Sequence, residues 1–179
     1  GSWVSPERWR IGRNLAPAKA RHKGKGYSPE DGRNFNAEVW REGNLWGGEG
    51  VVYAGMIDGI DMLLLDAPHL FDREGGPYSG PGGDWWDNAQ RFAALSWVAA
   101  RMARAGFDGW KPDVLHAHDW QAGFAPAYLA YHGSGGVGSV LTIHNIAFQG
   151  WAPAAQIDDL RLPREAFHPG ALEYFGGLS

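Results

Sequence analysis

"DVLHAHDWQAGFAPAYLAYHGSGGVGSVLTIHN", residues 113–145, decides the fold. Val114–His118 is a short apolar run behind Pro112, and Ser139–Asn145 is a second run rich in β-branched residues. The segment between them, from Asp119 to Gly133, is helical in pattern, with Asp119 placed as an N-cap and Gly133 just past the end. Pro126 in its middle predicts a kink or a late helix start, because proline supplies no N–H. Strand, helix and strand in about 30 residues make a βαβ unit, which implies parallel pairing and a right-handed crossover. The chain is therefore expected to be α/β.

A parallel α/β sheet binds ligands outside the carboxyl ends of its strands. Asp119 and Trp120 leave one strand end, and His144 and Asn145 leave the other. If the strands are neighbours, these four side chains converge on one crevice. Three readings of the histidines compete. His116 and His118 share a strand face, so metal chelation is geometrically open, but Trp120 stands where the metallo-hydrolase pattern needs an aspartate. Alternatively His116 and His118 hydrogen-bond inside a packed sheet. In the third reading the crevice takes a carbohydrate. Trp120 then offers a stacking face, Asp119 and Asn145 bind hydroxyls, and His144 lies near the reacting carbon.

Working outward, "DWWDNAQRFAALSWVAARMARAG" (84–106) predicts a helix capped by Asp84 or Asp87 and stopped by Gly106. Phe92, Leu95, Ala99 and Met102 would form its apolar face, with Arg91, Arg101 and Arg104 largely off it. Before it, "HLFDREGGPYSGPGGDWW" reads as a long Gly/Pro-rich loop, a length usually tied to function or to disorder. Val51–Ile57 and Ile60–Leu65 flank Asp58-Gly59, a strong hairpin signal. Residues 1–49 are expected to be an irregular, basic segment, with a short helix in "FNAEVWREGNLW". The stretch from Ala154 to Ser179 suggests short helices and turns.

Composition narrows the classes. At 179 residues and 44% hydrophobic, the chain can bury a real core. It has no cysteine, so disulfides and thiolate metal sites are excluded. No apolar run approaches a membrane span, and the N-terminus lacks a secretory pattern. Seven basic residues against Glu7 alone make residues 1–25 positive in a chain of net charge −4. A solvated N-terminal segment explains this best, so neither nucleic acid nor membrane is expected as a partner. The chain has no Walker loop and no dinucleotide Gly-x-Gly-x-x-Gly after a strand, and "GSGGVG" precedes a strand, the wrong context for phosphate.

"DVLHAHDWQAGFAPAYL" followed by "SVLTIHNIAFQG" resembles the N-terminal catalytic domain of bacterial glycogen synthases and plant starch synthases. "LLLDAPHLFDREGGPY", "DNAQRFAAL" and "FHPGALEYFGGLS" are similar to the same family in the same order, so the resemblance covers residues 50–179. It implies a GT-B glycosyltransferase with two Rossmann-like domains, of which this chain would hold an incomplete N-terminal one. It implies glucose transfer from ADP-glucose to the non-reducing end of an α-1,4-glucan such as glycogen, starch or a maltooligosaccharide. The anomeric configuration would be retained, with no metal and no cofactor beyond the donor. His144 and Asp119 would then be catalytic. Trp120, Asn145, Tyr78 of the "GGPY" loop and Gln149 would bind substrate, while His116 and His118 would be mainly structural. The family's Lys-Thr-Gly-Gly-Leu loop and its second domain have no counterpart, so a fragment without transferase activity of its own is expected. A glucan-binding module without catalysis is the alternative. The compartment implied is the cytoplasm of a bacterium or the plastid stroma of a plant or alga.

Overall fold

The computed structural model describes residues 10–13, 33–57 and 60–179. The chain divides into two compact units, residues 1–83 and 84–179.

The first unit is built on a four-stranded sheet of order β1-β4-β3-β2: β1 (Arg10–Arg13), β2 (Arg33–Glu42), β3 (Gly50–Ile57) and β4 (Ile60–Asp66). β1 runs parallel to β4, and the other pairs are antiparallel. β4 lies between two neighbours and buries Leu63, Leu64 and Leu65 in succession, as a strand covered on both faces does. The β3–β4 register pairs Ile57 with Ile60, as the hairpin reading requires; Asp58 and Gly59 themselves lie outside the described residues. β2 corrects the sequence reading. A ten-residue strand occupies the segment expected to be irregular, over the place where a short helix was expected. Its register with β3 shifts twice, between Phe35 and Ala37 and between Glu38 and Trp40. Each shift breaks the alternation by one residue, which hides the period of two. The unit continues through α1 (Pro68–Phe71) and a short strand β5 (Ser79–Gly80), so the long loop is partly ordered. His69 Nε2 lies 2.7 Å from the Leu45 carbonyl, and Leu45, Leu70 and Phe71 are buried.

β6 (Gly83–Asp84) leads into the second unit, whose centre is α2 (Asn88–Ala105). Its N-cap is Asp87, not Asp84. The cap works through its carbonyl, which accepts from Arg91 N–H at 2.9 Å, and not through its carboxylate. The helix is buried around most of its circumference, through Phe92, Ala93, Ala94, Val98, Ala100, Met102 and Ala103. Arg91, expected off the apolar face, is only 2% exposed, and its guanidinium donates to Asn88 Oδ1 at 2.6 Å. Leu95 and Ala99 are half-buried. Gly106 ends the helix at φ +76°, where a Cβ would meet the Trp110 carbonyl at 2.7 Å.

β7 (Val114–His118), α3 (Asp119–Ala122), α4 (Phe124–His132) and β8 (Gly138–Thr142) form the expected βαβ unit, with β7 and β8 parallel. The helical stretch is split at Gly123. Pro126 is then the third residue of α4, where an N–H would have no intrahelical partner. α4 packs on α2, with Tyr128 edge-to-face on Trp97, and buries Phe124, Ala125, Ala127, Tyr128 and Leu129. Tyr128 is buried and donates its hydroxyl to the Leu160 carbonyl at 2.5 Å, and burial pushes the phenol's pKa up. The remaining chain carries two short 3-10 turns and a small antiparallel sheet of order β10-β11-β9: β9 (Ala152–Pro153), β10 (Glu173–Tyr174) and β11 (Gly177–Leu178). No helix among the described residues is long and apolar enough to cross a membrane.

Candidate active site

β7 and β8 pair in register from Val114–Gly138 to His118–Thr142, so their carboxyl ends finish side by side. Of the four residues expected to converge there, the structure brings Asp119 and His144 into contact, while Trp120 packs against Phe92 and Asn145 bonds within its own loop. Asp119, the first residue after β7, has φ +56°. Left-handed backbone is uncommon outside glycine, and aspartate is among the residues that tolerate it. Asp119 Oδ1 accepts the backbone N–H of His144 at 2.7 Å. Asp119 therefore ties one strand end to the other; it is not the N-cap of α3, which is His118, without a side-chain cap bond.

The histidines follow from the strand period. His116 and His118 are two apart, so they share a face of β7. Their rings stack at 4.2 Å, and His118 in turn stacks against His144 at 5.3 Å, with planes 14° apart. His118 Nδ1 and His144 Nε2 are 3.0 Å apart, one donating and the other accepting. His116 Nε2 lies 2.7 Å from Thr142 Oγ1. The expectation that His116 and His118 sit inside a packed sheet is corrected: both are exposed, on a strand end that no further layer covers in this unit. His118 stands directly against His144, a contact the sequence reading did not foresee. Its position one residue before Asp119, on the strand end next to His144, is the signal that marks it. Among the described residues no group of three or more His, Asp or Glu side chains is arranged to hold a metal ion.

The other expected site residues lie as follows. Trp120 is half-buried, with its ring edge-to-face with Phe92 at 4.8 Å. Gly150 approaches the indole so closely that a Cβ there would lie 2.2 Å from Trp120 Cε3. Trp120 thus fastens the loop after β8 to α2. Asn145 Oδ1 accepts Ala147 N–H at 3.0 Å, an Asx turn, and Gln149 Nε2 donates to the Ile146 carbonyl at 3.3 Å. Both amides shape the loop that follows His144. Tyr78 is 40% exposed and lies in the first unit.

The family description "Starch synthase catalytic domain" matches residues 17–179. The chain belongs to this starch synthase catalytic domain family. The match begins at Pro17, inside the segment that the sequence reading left outside the resemblance. Over 143 residues the chain is 75% identical to a glycogen synthase of Cereibacter sphaeroides, covering 79% of this chain and 30% of that protein. It is 49% identical over 156 residues to the glycogen synthase of Paracoccus denitrificans, covering 86% and 33%. The catalytic domain of starch synthase IV from Arabidopsis thaliana, bound to ADP and acarbose, shares its fold. There the TM-score is 0.63 at 23% identity, over 82% of this chain and 30% of that one. This synthase-family chain thus spans about a third of the length of these relatives. Its α/β architecture, with the parallel β7–β8 pair, is that of the GT-B catalytic domain.

Proposed function

We propose that this chain supplies one wall of the active site of a retaining glucosyltransferase that extends an α-1,4-glucan from ADP-glucose. The observation that carries the proposal is the tie between Asp119 and His144 at adjacent strand ends, because it brings together the two residues read as catalytic. Glucosyl transfer passes through an oxocarbenium-like state. The protein must position two hydroxylated substrates and stabilise spreading charge, and polar groups on rigid strand ends do this without reorganising. In this reading His144 is the group nearest the reacting carbon. Asp119 has one carboxylate oxygen engaged by the His144 backbone, so it holds the histidine in place and adds negative charge beside it. Asn145 and Gln149 act on substrate through the loop they shape, and Trp120 through the loop it anchors. Tyr78 contacts the acceptor glucan. The reading uses no metal and no resident cofactor. Binding of ADP and acarbose by the Arabidopsis relative supports a nucleotide sugar and a glucan as ligands. The bacterial origin of the similar glycogen synthases supports the cytoplasm as the compartment.

The chain alone is expected to lack transferase activity, since it spans about a third of its relatives. The test therefore exchanges the matched 143-residue segment of the Cereibacter sphaeroides synthase for the segment from this chain. Elongation of maltoheptaose from ADP-glucose is expected from the exchanged enzyme, with a loss on the order of 100-fold in H144A. A folded exchanged enzyme that is inactive, or an H144A variant with full activity, overturns the reading. Binding of maltoheptaose to the isolated chain, combined with an inactive exchanged enzyme, would mean a glucan-binding module.

A further inference from the structure

We infer that His118 is a positioning residue of this site, fixing the tautomer and orientation of the His144 ring. The inference rests on the reading of His144 as the group beside the reacting carbon. A neutral imidazole carries its proton on one of two nitrogens, and a hydrogen bond to one of them selects which. His144 Nε2 has such a partner in His118 Nδ1 at 3.0 Å, and the two rings lie nearly parallel, 14° apart.

The surroundings make the pairing more than a contact of two exposed rings. His118 is the last residue of β7, paired in register with Thr142, two residues before His144. The next residue, Asp119, takes the backbone N–H of His144. His144 is thus gripped twice from consecutive residues of one strand end, by its main chain through Asp119 and by its ring through His118. His116 stacks on the other side of the chain of rings and bonds to Thr142 Oγ1, which steadies His118. No element needs to move for this grip to form. The left-handed turn at Asp119 aims its carboxylate, and strand register places the rings. A side chain held this way presents its remaining ring nitrogen in one protonation form to a substrate hydroxyl. An unheld ring would sample both forms and two flipped orientations.

The test is imidazole 15N NMR on the labelled 179-residue chain and two variants. Asparagine puts an amide close to the position of His118 Nδ1, so H118N preserves a hydrogen-bonding group there, whereas H118L removes it. In the wild-type chain His144 is expected in a single tautomer. H118N retains that tautomer, and H118L gives a mixture of the two, with backbone amide spectra otherwise unchanged. H116L removes the stacked ring but not the bond, so it leaves His144 in one tautomer. A single, unchanged tautomer in H118L, or equal scrambling in H118N and H118L, overturns the inference. In the exchanged synthase, H118L is expected to lower kcat at least tenfold with little change in KM, and H118N to recover most of it. If the exchanged synthase is inactive, the functional reading fails while the NMR result still decides the role of His118.

Discussion

The backbone N–H of His144 donates to Asp119 Oδ1 at 2.7 Å, joining residues 25 apart in sequence across the ends of two parallel strands. The bond is charge-assisted and sits where the chain leaves both strands, so it sets the entry geometry of the following loop. D119A is expected to cost about 1.5–3 kcal/mol, the range of a hydrogen bond to a charged group. D119N keeps an acceptor oxygen and tolerates the left-handed backbone, so it loses less. D119V loses most, because a β-branched residue is strained at φ +56°. Urea unfolding of the three variants checks the order, and a D119V chain as stable as D119N would contradict it.

Gly150 lies at φ +61°, and a Cβ there would overlap the Trp120 indole. G150V therefore suffers twice, from backbone strain and from overpacking, and a loss of about 2–4 kcal/mol is expected. The W120A/G150A double variant gains room for the new methyl group. Adding G150A to W120A should then cost less than adding it to the wild-type chain. Thermal unfolding of this double-mutant cycle measures the coupling, and strict additivity would show that the two residues do not touch.

Tyr128 donates to the Leu160 carbonyl from a buried position. Y128F keeps the ring among Phe124, Trp97 and His132 but leaves that carbonyl without its donor. The expected loss is about 1–2 kcal/mol, read from the denaturation midpoint at an unchanged m-value. Because burial pushes the phenol's pKa up, the wild-type chain should show no Tyr128 ionisation step before it unfolds in alkali. A spectroscopic tyrosinate step in the folded chain assigned to Tyr128 would count against this packing.

Arg164 donates to Asp158 through Nη2 at 2.5 Å and through Nε at 3.2–3.3 Å, and this pairing holds the aspartate below its ordinary pKa. The folded-state value is the depressed one. The contribution is therefore fully present above the unfolded value and is lost as pH falls through the folded one. R164Q should be slightly less stable than wild type at neutral pH and equal to it in strong acid. High salt should shrink the neutral-pH gap, since both groups are exposed. A gap that persists in acid would point to a packing role for Arg164.

The legible parts of the fold were those with an unbroken period or strong punctuation. The β3–β4 hairpin, α2 with its Gly106 stop, and the β7–β8 crossover could all be read, down to the paired strand ends that place Asp119 beside His144. β2 was not legible, because two register shifts in ten residues erase the alternation that identifies a strand. Arg91 was misplaced for a different reason. Helical periodicity assigns a charged residue to solvent, and the wheel carries no information on the Asn88 side-chain amide oxygen that accepts from its buried guanidinium.

Within the site, the sequence by itself determined which residues arrive at the two strand ends, because a period of two and a parallel crossover leave few alternatives. Only the tertiary structure decided what each of them does there. The left-handed turn at Asp119 directs its carboxylate to a backbone 25 residues away. Strand register brings His118 against His144, and the fold of the following loop presses Gly150 onto Trp120. These contacts are long-range and are selected by which strand lies next to which. A one-dimensional pattern specifies the face of a residue but not the atom it meets.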